Sequence, residues 1–131
     1  MEQSEQPEIP SRELSQSTLA ETRISIDGFS LVELRVGRVI NAEPVPKSTK
    51  LLKIQLDTGS GERQIVAGIA RAYQPESLIG RMVVYVANLH STRLMGIESN
   101  GMVLAATSLS GEPALLTVDN AVSVMPGTRV S

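Results

Sequence analysis

Residues 33–45, ELRVGRVINAEPV, decide the fold predicted for this chain. The run predicts a β-strand because apolar residues alternate with polar ones. We expect Val36 and Ile40 on one face of this strand and Val39 on the other. Gly37 lies in mid-strand, where glycine is typical of a bulge or a tight curl that lets a sheet close on itself.

Further strands are predicted along the rest of the chain. The runs are LLKIQLDT (51–58), RQIVAGI (63–69), MVVYVANL (82–89) and GMVLAAT (101–107), with two shorter ones in PALLTVD (113–119) and PGTRV (126–130). QPESLIG (74–80) carries the proline and glutamate of a short helix start, and Ser25 or Asp27 can cap an earlier helical turn. Five principal strands and a short helix predict an all-β chain, an OB-fold five-stranded Greek-key barrel. A sandwich of short strands is the alternative.

The chain has 131 residues, enough for one domain with one modest core. Residues 1–22 are rich in Glu, Gln, Ser and Pro, with five acidic residues against one arginine. Such a segment buries too little apolar surface to offset its ordering entropy, so we predict a flexible acidic tail over 1–22 and the domain over 23–131.

Several classes of chemistry have little support in the composition. The chain has no cysteine and a single histidine, His90, so neither a disulfide framework nor a zinc site is expected. No run of about 18 apolar residues occurs, and the first residues are not those of an export signal. These features predict a cytoplasmic protein with no membrane partner. No glycine-rich phosphate loop is present, and no cofactor is expected.

Two catalytic readings can be weighed. Asp57-Thr58-Gly59-Ser60 matches the D-T-G-S of aspartic proteases, but only 20 residues separate Ser60 from Arg81, too few for a flap hairpin. Asp57 is better explained as the last residue before a glycine turn. A nucleophile elbow at Ser99 fails because Gly96 lies one place too early for G-x-S-x-G. We therefore predict binding and no catalytic residue.

The charge is unevenly distributed. Residues 35–93 hold nine basic residues against four acidic ones, a net charge of +5, whereas the whole chain is at −2. An ordinary solvated surface and an anion-binding face are both compatible with that count. Aromatic residues for base stacking are scarce, being Phe29, Tyr73 and Tyr85 only. Lysines in and after the basic loop PVPKSTK suit phosphates and the shape of a folded RNA better, and these are Lys47, Lys50 and Lys53.

Residues 34–106 closely resemble the tRNA-binding domain family. The motifs L-R-V-G, K-L-L, R-Q-I-V-A-G-I-A, V-x-V-x-A-N-L and G-x-x-S-x-G-M-x-L-A-A occur in order and at the family's spacings, and the likeness extends from about residue 24 to 130. The family includes free-standing bacterial tRNA-binding proteins and the C-terminal domain of methionyl-tRNA synthetases. The resemblance implies an OB barrel with a C-terminal strand extension, a homodimer, and recognition of the outer corner of tRNA by shape.

The resemblance also indicates which residues of this chain correspond to the RNA-contacting positions of the family. The resemblance implies that Lys50, Ser99 and Met102 touch RNA and that Asn88 lies on the same side. We expect Ser99 to hydrogen-bond the RNA backbone, Gly101 to let that backbone approach, and Met102 to give an adaptable apolar contact. The mundane alternative is that Ser99 and Gly101 are turn residues and that Met102 starts a buried strand.

The chain also departs from the family pattern. Many relatives have several lysines after A-N-L, where this chain has His90, Ser91 and Thr92 and then Arg93. We predict a non-catalytic tRNA-binding protein of modest, salt-sensitive affinity that is a part of, or an auxiliary to, a methionyl-tRNA synthetase. This chain lacks the core motifs of such an aminoacyl-tRNA synthetase. The alternative is an export-related chaperone of similar fold that holds unfolded peptides.

Overall fold

A computed structural model describes residues 22–131, and the acidic tail predicted over 1–22 lies almost wholly outside the described residues. The chain divides after Leu31 into two compact units. In the described part of the first unit, the helical turn Ile26–Phe29 begins at Ser25, whose Oγ accepts a hydrogen bond from the Gly28 backbone N–H at 2.9 Å. Of the two predicted caps, Ser25 is therefore the one used.

The second unit, residues 32–131, contains the barrel. Its principal strands are β1 (Leu34–Pro44), β2 (Leu52–Asp57), β3 (Glu62–Ala67), β4 (Met82–Val86) and β7 (Met102–Val103). They form an antiparallel sheet in the order β3-β2-β1-β4-β7, with the short helix Pro75–Leu78 between β3 and β4. The predicted all-β OB barrel is confirmed by this curled sheet.

The core lies inside the curl of the sheet. Leu52, Ile54 and Leu56 of β2 are buried, and the polar residues between them face outward, as the alternation predicted. They pack with the inward residues of β3 and β4, including Ile65 and Tyr85. Gly37 lies against this core, where a Cβ would come within 3.1 Å of Leu56 and 3.2 Å of Tyr85. Glycine therefore makes room for two large core side chains at the bend of β1.

One part of the β1 prediction was wrong. The register between β1 and β2 shifts between Val39 and Asn41, so the bulge lies at Ile40 and not at Gly37. The extra residue reverses the alternation of faces. Val39, before the bulge, lies in the core on the face opposite Val36, and Ile40 at the bulge is exposed. Beyond the bulge, Ala42 packs against the same core as Val39 and not on the face of Val36, where it was expected.

The connection from β4 to β7 holds a hairpin that the sequence did not predict. Its strands are β5 (Thr92–Leu94) and β6 (Ile97–Ser99), which pair antiparallel around Met95 and Gly96. The Asn100 N–H donates to the Gln64 carbonyl of β3 at 2.8 Å. This bond links the end of the hairpin to the free edge of β3 and closes part of the barrel.

The C-terminal part of the chain contains shorter β-strands than the sequence predicts. GMVLAAT divides at Leu104, because β8 (Ala105–Thr107) leaves the barrel and pairs with β9 (Pro113–Leu115). The predicted strand 113–119 thus ends at Leu115, and a 3₁₀ turn follows at Ala121–Ser123. The last strand, β10 (Arg129–Val130), pairs with the start of β1. No helix within residues 22–131 is long and apolar enough to cross a membrane.

Candidate nucleic-acid interface

All eight predicted RNA-contacting residues fall on three segments that contact one another. The segments are the β1–β2 loop (45–51), the outward face of β2 and β3, and the β4–β7 connection with the first residue of β7 (87–102). Contacts through β3 and the residues after it link these segments. The Ala70 N–H donates to the Lys50 carbonyl at 3.0 Å, Lys53 pairs with Val66, and the Val66 N–H donates to the Ser99 hydroxyl. We call this surface the candidate face. OB folds bind oligonucleotides with the corresponding strands and loops.

Exposed cations occupy the β1–β2 loop. Lys47 and Lys50 are both exposed, and the Arg71 guanidinium reaches the same loop, with Nη2 3.5 Å from the Thr49 hydroxyl. None of these three cations forms an ion pair with any residue from 22 to 131. Within the described residues no acidic side chain neutralises this positive charge. The loop can therefore attract an anion.

The loop is held in shape by its own hydrogen bonds. The Ser48 hydroxyl accepts from the Lys50 N–H at 3.2 Å and from the Leu51 N–H at 3.1 Å. Lys47 has a left-handed φ of 67°, which non-glycine residues rarely adopt. The backbone therefore presents Lys47 and Lys50 from a defined turn.

Lys53 and Arg93 are less available than the loop lysines. Lys53 is half-buried and its Nζ lies 3.1 Å from Oε2 of Glu43, so part of its charge is neutralised locally. The Arg93 Nη1 donates to the Gly96 carbonyl at 2.9 Å within the hairpin, which leaves the rest of an exposed guanidinium for a partner. Next to Lys53, Gln55 and Gln64 form a side-chain hydrogen bond of 2.9 Å on the outward face.

Ser99 does not lie on the surface. The residue is 2% exposed, and its Oγ accepts a hydrogen bond from the buried Val66 N–H at 2.9 Å. The hydroxyl can donate to the Gly101 carbonyl at 3.3 Å or to the Val66 carbonyl at 3.5 Å. In this structure the hydroxyl therefore joins the hairpin to β3, whereas the sequence predicts that it contacts an RNA backbone.

Gly101 and Asn88 also have structural roles within the protein. Gly101 has a φ of +142°, and a Cβ there would lie 3.0 Å from the Val86 carbonyl oxygen and 3.1 Å from Ile65. The Asn88 Oδ1 accepts from the Glu33 N–H at 2.9 Å and so joins the end of β4 to the start of β1. Met102, by contrast, is 49% exposed at the start of β7, which suits an apolar contact with a partner.

Within the described residues, neither Asp57 nor Ser99 has the hydrogen-bond partners expected of a hydrolase active site. The Asp57 Oδ1 accepts from the Gly59 N–H at 2.9 Å, so this carboxylate stabilises the predicted glycine turn. Ser99 has no imidazole among its described partners. Within residues 22–131 no three side chains of His, Asp or Glu are grouped as metal ligands would be.

Comparison with known proteins identifies the family of this chain. The family model of the putative tRNA binding domain matches residues 34–129. The chain belongs to the tRNA-binding domain family. Among curated relatives of this domain, the methionine–tRNA ligase of Thermotoga maritima is 54% identical over 108 residues, which are 82% of this chain and 17% of the ligase. That of Archaeoglobus fulgidus is 50% identical over 107 residues, 82% of this chain and 16% of the ligase.

Solved structures of similar fold point to the same family. The MetRS-related protein from Pyrococcus horikoshii has a TM-score of 0.77 and 36% identity, covering 83% of this chain and 98% of the other. The chaperone CsaA from Bacillus anthracis str. Ames has a TM-score of 0.75 and 31% identity, covering 84% and 100%. This chain thus spans under a fifth of the length of these two ligases and nearly all of these two smaller proteins.

Sequence reasoning missed part of this face. Arg71 was counted among the basic residues but not assigned to this face, because the segment after β3 is brought to the β1–β2 loop by the bond from the Ala70 N–H to the Lys50 carbonyl. The hairpin β5–β6 was also missed, since Met95-Gly96 between short polar strands gives a weak signal.

Proposed function

We propose that this tRNA-binding domain recognises the folded shape and phosphate backbone of tRNA through the candidate face, without catalysing a reaction. Its motivating observation is the group of exposed cations Lys47, Lys50 and Arg71, which have no acidic partner within residues 22–131. Phosphate contacts give affinity with little dependence on sequence. The likeness to the methionine–tRNA ligases supports a cytoplasmic role as a part of, or an auxiliary to, methionyl-tRNA synthetase.

In this proposal the eight predicted residues have different roles. Lys47, Lys50 and Arg93 contact phosphates, and Lys53 contributes after exchanging its Glu43 partner. Met102 supplies an apolar contact from an exposed position. Ser99, Gly101 and Asn88 act indirectly, since each fixes the β4–β7 connection relative to the barrel.

The test is a titration of labelled tRNA by fluorescence anisotropy at several salt concentrations. Lys50→Ala should weaken binding and reduce the slope of log K against log salt by about 0.9, as loss of one phosphate contact requires. Arg81→Gln is the control, because Arg81 is an exposed cation just before β4, outside the candidate face, and its Nε donates to the Ser77 carbonyl. Unchanged affinity and slope for Lys50→Ala would remove this lysine from the site.

A second candidate function is the binding of unfolded peptide. Exposed apolar side chains lie along the β4–β7 connection and the start of β7, namely Leu89, Leu94, Met95 and Met102. Such a patch fits an apolar peptide, and the chaperone CsaA has a similar fold. A paired measurement of tRNA binding and of aggregation suppression with a denatured substrate separates the two: we expect tRNA to be bound and the unfolded polypeptide to be ignored.

We also propose that the chain works as a homodimer. Leu109, Val122 and Met125 in the C-terminal extension are strongly exposed, and a partner of the same sequence would bury them. Light scattering should then give twice the mass of one chain. A monomer at micromolar concentration would contradict this part of the proposal.

A further inference from the structure

A cleft of about 620 Å³ opens at the end of the barrel that lies away from the β1–β2 loop. It is formed where β2 turns into β3, where β1 begins and where β4 ends, with Pro126 and Gly127 of the C-terminal segment on one side. Its volume is that of a small-molecule site. None of the predicted RNA-contacting residues lines it.

One wall of the cleft is rigidly built. Gly59 and Gly127 both have left-handed backbone conformations, with φ of +84° and +94°. A Cβ on Gly59 would collide with the Pro126 carbonyl, and a Cβ on Gly127 would collide with that of Thr58. The β2–β3 turn and the C-terminal segment are thus in close backbone contact, and only glycine satisfies this approach.

Two guanidinium groups line the cleft and keep unused hydrogen-bond donors. Arg35 donates through Nε to Glu33 at 2.6 Å and through Nη1 to the Gly127 carbonyl at 2.8 Å. Arg63 donates through Nη1 to the Ala87 carbonyl at 2.8 Å and to the Asn100 carbonyl at 3.1 Å. A guanidinium has five N–H donors, so Nη2 of both arginines is left without a protein acceptor in residues 22–131.

The Tyr85 hydroxyl supplies an independent indication of a ligand. The residue is 1% exposed and lines the cleft, yet its hydroxyl has no hydrogen-bond partner among residues 22–131. The Arg63 guanidinium lies 5.5 Å from the centre of its ring. A buried hydroxyl without a partner is costly, and the phenolic O–H is a donor that can satisfy an oxygen entering from the cleft.

The charge in the cleft favours an anion. Burial raises the pKa of Tyr85, so its hydroxyl keeps its proton at neutral pH. The hydrogen bond from Arg35 lowers the pKa of Glu33, so this carboxylate is charged and neutralises one of the two arginines. One positive charge remains next to donors that lack acceptors.

We propose that this cleft binds a phosphate group through the Tyr85 hydroxyl and the free Nη2 donors of Arg63 and Arg35. A tetrahedral oxyanion offers several acceptor oxygens at once and so can satisfy donors that arrive from different strands. The phosphate belongs either to a free small molecule or to an RNA backbone that extends past the barrel end. The cleft contains none of the eight predicted RNA-contacting residues, but it adjoins the candidate face at Ala87, which lines the cleft and whose carbonyl accepts from Arg63.

The experiment measures thermal unfolding and isothermal titration with inorganic phosphate, against sodium chloride at equal ionic strength. Phosphate should raise the Tm of the wild-type protein more than chloride does. Tyr85→Phe keeps the ring in the core and should raise the Kd for phosphate about 10-fold or more, since a hydrogen bond to a charged group is lost. Tyr73→Phe is the matched control, because the Tyr73 hydroxyl accepts from the Leu115 N–H at 3.0 Å outside the cleft.

Arg63→Gln should also abolish the effect of phosphate, and Tyr85→Phe keeps the proposal testable if Arg63→Gln does not fold. Titration of tRNA into Tyr85→Phe identifies the source: an equal loss of tRNA affinity assigns the phosphate to RNA, and unchanged tRNA affinity assigns it to a free molecule. A wild-type protein that responds to phosphate and chloride alike, or a Tyr85→Phe variant with the full phosphate response, would overturn the proposal. Neither result depends on the tRNA binding tested with Lys50→Ala.

Discussion

Replacement of Ser99 by alanine separates a role inside the protein from a contact with RNA. The change removes the acceptor of the buried Val66 N–H, which has a 2.9 Å bond to the Ser99 hydroxyl. Val66 is 5% exposed, so water cannot easily replace that acceptor. Leaving such a donor unsatisfied costs about 1–3 kcal/mol, and about 1 kcal/mol lowers the Tm of a domain of this size by roughly 4–8 °C.

Urea and thermal unfolding followed by circular dichroism measure this loss. We expect Ser99→Ala to lower the free energy of unfolding by about 1–3 kcal/mol with an unchanged urea m-value. Ser91→Ala, in the same connection but exposed, is the control and should leave stability within about 0.5 kcal/mol. At a temperature where both variants are folded, tRNA affinity should remain within about twofold of wild type. A variant of full stability with weakened tRNA binding would refute this reasoning and place the hydroxyl on the RNA.

Three further predictions concern stability. Gly101→Ala should lower the free energy of unfolding by at least about 1 kcal/mol, because a Cβ at φ +142° would press on the Val86 carbonyl; an unchanged urea midpoint would contradict this. Tyr73→Phe should cost about 1 kcal/mol, since it leaves the Leu115 N–H without its acceptor, and hydrogen exchange should become faster at that amide. The lowered pKa of Glu33 stabilises the fold above the ordinary carboxyl pKa, and this contribution is lost as the pH falls through the lowered value; Glu33→Gln should therefore reduce the loss of stability at acid pH in urea titrations.

The principal strands could be predicted from the sequence because a half-buried strand shows its alternation directly. β2 is the clearest case, with Leu52, Ile54 and Leu56 inward and polar residues between them. The bulge in β1 could not be located, since it depends on how Val39 and Asn41 pair with β2 and not on a local composition signal. Gly37 suggested a bulge but instead makes room for Tyr85.

The candidate site was predictable as a set of segments but not as a set of roles. Lys47 and Lys50 are exposed loop cations, as a proline-bracketed basic loop indicates. The sequence around Ser99 does not indicate whether its hydroxyl faces solvent or β3. That orientation is set by how the hairpin packs against β3. The barrel-end cleft was not predictable either, because Arg35, Arg63 and Tyr85 come together from three strands that are distant in sequence.

Hydrogen–deuterium exchange of the free protein and of its tRNA complex tests the proposed face most directly. Our account predicts that tRNA slows exchange in the β1–β2 loop (45–51) and in the β4–β7 connection (87–101), with little change in the C-terminal extension (105–125). Protection confined to that extension, or none anywhere on the chain, would contradict it.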